Sequence, residues 1–141
     1  MRHIFILFWL LCGLAGIDAQ VPITIIVNSD NDMESLETAS IRNIYLGKKT
    51  KWDNGEKIVP VCLKEGELCN DFLHEYVKKT IDGYDGYWRQ RIFTGKGVPP
   101  MAFETENEIL QYVSRNSFAI SYVSAQTEID TFSVRTLTVI N

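Results

Sequence analysis

Histidine is scarce in this chain. Only His3 and His74 occur in 141 residues, and neither G-x-S-x-G nor H-E-x-x-H is present. Without a base placed beside a nucleophile there is no catalytic constellation to name, so no enzyme is expected. A small hydrolase would need a partner for His74 that the sequence does not offer, and His74 reads as a solvated histidine on a helix surface. Positive charge is also short: 14 Lys and Arg stand against 18 Asp and Glu, a net charge of −4. That balance gives no support for binding nucleic acid or an anionic membrane, which calls for a basic surface. Cysteine numbers three, and a zinc site wants about four ligands, so Cys62, Cys69 and the nearby His74 fall short of a metal centre. No cofactor is expected either. "TGKGVPP" (Thr94 to Pro100) lacks the G-x-x-x-x-G-K-[ST] spacing, and Val98 stands where Ser or Thr would hold magnesium, so it reads as a turn.

Long apolar runs are missing everywhere except at the start. "MRHIFILFWLLCGLAGIDAQ" has a basic beginning, an apolar stretch from Ile4 to Gly16 and a small-residue exit before Gln20. The stretch is about 13 residues, short of the ~20 that span a bilayer. It reads as a signal peptide over residues 1–19. A lipid anchor on Cys12 is the rival, but Leu11 precedes it where such signals want a small residue. The expectation is a periplasmic or secreted protein with no stable membrane insertion after cleavage. Residues 20–141 then suffice for one domain with a real core, and 45% hydrophobic content excludes disorder. In an oxidising compartment the pair Cys62 and Cys69, seven residues apart in "VCLKEGELCND", is expected to form a disulfide between a strand end and the first turn of a helix.

Along the chain, "VPITIIVN" (Val21 to Asn28) reads as a strand buried on both faces. Leu36, Ile41, Ile44 and Tyr45 recur at helical spacing within Ser35 to Leu46, and Gly47 supplies the stop. "KIVPVC" (Lys57 to Cys62) is a second strand, with Pro60 arguing for an edge or an end. Leu68, Phe72, Leu73, Tyr76 and Val77 form the apolar face of a surface helix, and another helix is expected over Tyr87 to Phe93. Thr105 followed by Glu108 is a capping box ahead of Ile109, Leu110 and Val113. "SFAISYV" (Ser117 to Val123) and "FSVRTLTVI" (Phe132 to Ile140) close the chain as strands. Strands alternating with helices predict an α/β domain with a mainly parallel sheet of about four strands, flanked by helices. Tyr84, Tyr87, Trp88 and Arg91 make a candidate interaction patch where an envelope protein would dock. Arg89, Arg91 and Lys96 with Trp88 and Phe93 form a small basic and aromatic patch where an acidic partner would dock, and for these a solvated face with snorkelling stems is the favoured reading.

The segments "IYLGKKTKW", "IVPV", "FLHEYV", "GKG" and "NEILQYVSRNSFAISYVS", in that order, resemble the substrate-binding proteins of phosphate ABC transporters. In that family a helix ends in Phe or Tyr, Leu and Gly, a tryptophan follows, and a strand leads to the anion loop. A later Gly-Ala-Ile-Gly-Tyr-Val strand is matched through Ala119, Ile120, Tyr122 and Val123. The resemblance covers Ile23 to Val123 and implies one lobe of a type 2 periplasmic-binding-protein-like fold, acting as a solute-binding module. Two departures stand out. The family has two lobes and this chain has residues for one. The family's Ser-Gly-Thr phosphate loop is replaced by "LKEGELCN", in which Gly66 alone matches, Lys64 is the nearby cation, and Glu65 and Glu67 place carboxylates where an anion would sit. A small oxyanion held weakly by Lys64 and Gly66 is one expectation; a protein-interaction or structural envelope module that has lost its ligand is the other. Trp52 is expected to pack over the helix end and sheet edge.

Overall fold

The structure, a computed structural model, describes residues 21–141. The expected signal peptide lies outside the described residues. Within them, no helix is long and apolar enough to cross a membrane.

β1 (Ile23–Asn28) is the predicted first strand, an interior strand of its sheet, and Ile25 to Asn28 are buried in succession, so both of its faces are covered. The next segment departs from the sequence reading. Ser35–Glu37 form a short strand, β2, and helix α1 starts only at Thr38 and runs to Tyr45. The cause is tertiary: β2 pairs in parallel with β7 (Thr138–Ile140), and Glu37 offers α1 no side-chain cap. β3 (Val59–Leu63) follows, and then α2 (Glu67–Phe72), which widens into a π-helical turn over Leu73–Val77. That turn stops at Lys78, whose φ of 61° is left-handed.

α3 (Ile81–Phe93) begins six residues before the predicted start. Thr80 caps it by accepting a hydrogen bond from Gly83 N at 3.1 Å. β4 (Met101–Phe103) precedes α4 (Glu106–Arg115), whose predicted cap is present: Thr105 Oγ1 accepts from Glu108 N at 3.2 Å. The reciprocal bond reaches one residue farther than the usual box, with Glu108 Oε2 accepting from Glu104 N at 3.1 Å. β5 (Ala119–Ser124) is the predicted strand, while the last one divides at buried Leu137 into β6 (Val134–Thr136) and β7.

The central sheet has the order β4-β3-β5-β1-β6, five strands where about four were expected. The extra strand is β4, from a stretch whose prolines mark it as loop. Among the described residues three ladders are parallel (β3 with β4, β3 with β5, β2 with β7), and β1 runs antiparallel to both its neighbours. Pro60 sits at the beginning of β3, one residue before the pairing with β4 starts at Val61, so its missing N–H costs the sheet no bond on that side. Both outer strands, β4 and β6, are three residues long.

Three aromatic rings fill the space between α1, α2 and the sheet. Phe72 stacks on Tyr122 with centroids 3.8 Å apart, and Tyr45 meets Phe72 edge-on at 4.8 Å. Buried hydroxyls need partners: Tyr45 donates to Val61 O at 2.9 Å, and Tyr122 accepts from Leu63 N at 3.1 Å. Trp52 is buried as expected, and its indole N–H donates to Phe118 O at 3.1 Å, pinning the loop after α1 to the start of β5. Asn28 is a buried polar residue with a structural task. Its Nδ2 donates to Val113 O and Ser114 O in the last turn of α4, tying β1 to that helix.

Candidate functional site

The corner between β3 and α2 is the place where the sequence puts a ligand. β3 ends at Leu63, Lys64 leaves the sheet with its N–H on Phe103 O, and Gly66 turns the chain into α2. Gly66 has φ 107° and ψ 175°, a conformation that disfavours a side chain, and the space where a Cβ would point is open. It gives α2 no side-chain cap. Lys64, Glu65, Gly66 and Glu67 are all exposed. The Lys64 ammonium is already engaged: it lies 3.5 Å from Glu104 Oε1, with both side chains mostly in solvent. The corner thus carries one cation against the carboxylates of Glu65, Glu67 and Glu104, an arrangement that weakens the attraction for an anion.

Behind the corner, between α3 and the strands β3 and β4, is a cavity of about 390 Å³. Its inner wall includes Cys62, Cys69, Phe72, Tyr84, Trp88 and Tyr122, and Lys64 reaches it from the corner. The aromatic face of α3 is turned toward this interior, which corrects the expected interaction patch. Tyr84 and Trp88 are buried, and both donate to the same carbonyl, Tyr45 O, at 3.0 and 3.2 Å. Tyr87, half-buried, donates to Leu46 O at 2.6 Å. These three residues satisfy the open C-terminal carbonyls of α1. Arg91 is half-buried over the Tyr87 and Trp88 rings and donates to Lys96 O at 3.0 Å. The four residues form a brace between α3 and α1 and not an exposed patch. The exposed apolar side chains of this region are Ile92, Phe93, Val98 and Met101.

The expected disulfide is also corrected. Cys62 and Cys69 are free, buried thiols placed as foreseen, at the strand end and in the first helical turn. Each sulfur has its own partner: Cys62 Sγ donates to Met101 O at 3.7 Å and Cys69 Sγ to Leu63 O at 3.4 Å. Burial pushes the Cys62 thiol from 9.0 up to about 12, with Cys69 and Asp85 adding to the rise. Burial also raises Cys69, against a hydrogen bond from Tyr122 that lowers it. Thiols held protonated in this way are poor nucleophiles. His74 is exposed on the π-helical turn, and among the described residues no group of three His, Cys, Asp or Glu side chains is gathered for a metal.

The cavity itself was missed in the sequence, although its signal was there. Ile81, Tyr84, Trp88 and Ile92 follow one another at helical spacing and all line it. Gly83 and Gly86, between those positions, hid the helix by their low propensity.

No protein-family model matches the chain, and no curated protein matches it. Solved structures do. A Clostridium perfringens protein with bound phosphate, assigned to the phosphate ABC transporter substrate-binding proteins, superposes with a TM-score of 0.64 at 23% identity, over 84% of this chain and 45% of that one. An ABC-type phosphate transport receptor from Vibrio cholerae gives 0.57 at 17%, over 84% and 46%. PstS from Borrelia burgdorferi gives 0.63 at 15%, over 84% and 47%. The chain therefore spans less than half the length of each of these proteins. With its central sheet and flanking helices, it carries the α/β fold of part of a phosphate ABC transporter substrate-binding protein.

Proposed function

We propose that this chain is an exported module of the solute-binding-protein type, carrying one lobe of that fold and acting, after removal of residues 1–19, in a periplasmic or extracellular space. Its ligand is a small oxyanion such as phosphate, met at the β3–α2 corner by Lys64, the Gly66 backbone and the first amides of α2. The observation that supports this reading is the fold shared with proteins whose names specify phosphate binding and transport. Binding is weak because Glu65, Glu67 and Glu104 oppose the anion.

The alternative is a protein-interaction or structural envelope module without a ligand. The exposed Ile92, Phe93, Val98 and Met101, all within ten residues of sequence, favour it. A thermal-shift titration of the exported protein with phosphate, sulfate and other small oxyanions at constant ionic strength separates the two. Ligand at about 100 times its dissociation constant adds ~2.7 kcal/mol, a rise of several degrees for a domain of this size. A saturable rise only in the millimolar range, lost with Lys64→Ala, is the expected result. No response to any oxyanion overturns the ligand reading and leaves the interaction module.

A further inference from the structure

The cavity under α3 is better built for a ligand than the corner, and its chemistry differs from that of phosphate. At about 390 Å³ it is within the range of small-molecule sites and holds a ring with a short substituent. The polar groups of its wall are already engaged. Tyr84 and Trp88 donate to Tyr45 O, Tyr45 donates to Val61 O, Tyr122 accepts from Leu63 N, and the two thiols face carbonyls. A ligand entering this space would thus meet rings, aliphatic carbons and sulfur, and only an apolar body fits without stranding a hydrogen-bonding group.

The rim is different. Lys64, Asp85, Arg89 and Ile92 are exposed cavity-lining residues and mark the opening. Lys64 is held by Glu104, whereas Arg89 is in no ion pair among the described residues. A guanidinium beside an apolar pocket is suited to a planar carboxylate, which it can grip with two parallel hydrogen bonds. The geometry points to a site for a small aromatic or branched aliphatic carboxylate, its apolar end between Phe72, Tyr84 and Trp88 and its carboxylate at Arg89. This site goes beyond the oxyanion reading: its carboxylate is held by Arg89 and not by Gly66 or the backbone amides of α2, so the two ligands are tested separately.

The test is a titration of the exported protein with phenylacetate, 2-phenylethylamine and benzyl alcohol, followed through the Trp88 indole N–H resonance and by thermal shift. Phenylacetate is expected to bind saturably and to move the Trp88 signal, with the amine and the alcohol weaker by about tenfold or more. Arg89→Gln, at an exposed position, should remove that preference while leaving the fold intact, and Ile92→Trp should abolish binding by filling the opening. Phosphate should not displace phenylacetate. Failure of all three probes to bind overturns the proposal. So does equal binding of the amine or alcohol, or an Arg89→Gln variant that still prefers the carboxylate.

Discussion

Gly47 is the residue on which the contact between α1 and α3 turns. Its φ is +71°, and a Cβ there would lie 2.7 Å from Trp88 Cη2, a ring fixed by its own bond to Tyr45 O. Gly47→Ala therefore meets both backbone strain and a clash with a ring that has nowhere to go. It should lower stability by about 1–3 kcal/mol, read as a shift of the urea midpoint with unchanged slope. The sequence marked Gly47 as a helix stop, which it is. Its second task, making room for Trp88, depends on a residue 41 positions later and is not visible in any local pattern. Trp52 differs in this respect. A large apolar residue in a polar loop announces a packing role by itself, and the structure places it against Phe118.

At the scale of elements, caps decide where helices begin. Thr105→Ala removes the acceptor for Glu108 N and should cost about 1 kcal/mol, measured by thermal or urea unfolding. Glu108→Ala should cost less, because Glu104 N lies at the surface and water can replace the carboxylate. The α4 start was legible because its signal is confined to four residues. The start of α3 was not, because Gly83 and Gly86 depress helix propensity and the helix is held by what its aromatic side reaches on α1. β2 was misread for a related reason: a three-residue strand exists only through its partner β7, a hundred residues away. For the candidate site, the corner residues Lys64 and Gly66 could be named from the sequence. The inward turn of Tyr84 and Trp88 could not, since an amphipathic aromatic serves a patch or a core equally well.

For the whole molecule, burial sets the response to alkali. Tyr45, Tyr84 and Tyr122, like Cys62, hold their protons more tightly in the folded state because burial penalises the charged form. The folded chain therefore binds more protons than the unfolded one once ordinary thiols and phenols begin to titrate, and stability falls as pH rises. Stability from these groups is fully present below about pH 9 and is lost progressively from there to pH 12 and beyond. A thermal midpoint measured from neutral pH upward should be flat until about pH 9 and then drop. Tyrosinate absorbance from the buried phenols should rise together with unfolding, and alkylation of Cys62 should follow the same course.

The two outer strands of the central sheet carry a consequence of another kind. A sheet grows into fibrils when a long, flat edge offers its unpaired amides to a neighbour. Here each edge is a three-residue strand, and β4 is entered through Pro99 and Pro100, which have no N–H to lend. An arriving strand would find a foothold too short to hold it. The edges of the central sheet thus offer a second copy no template for strand addition, even with Phe93 and Val98 bare on the surface.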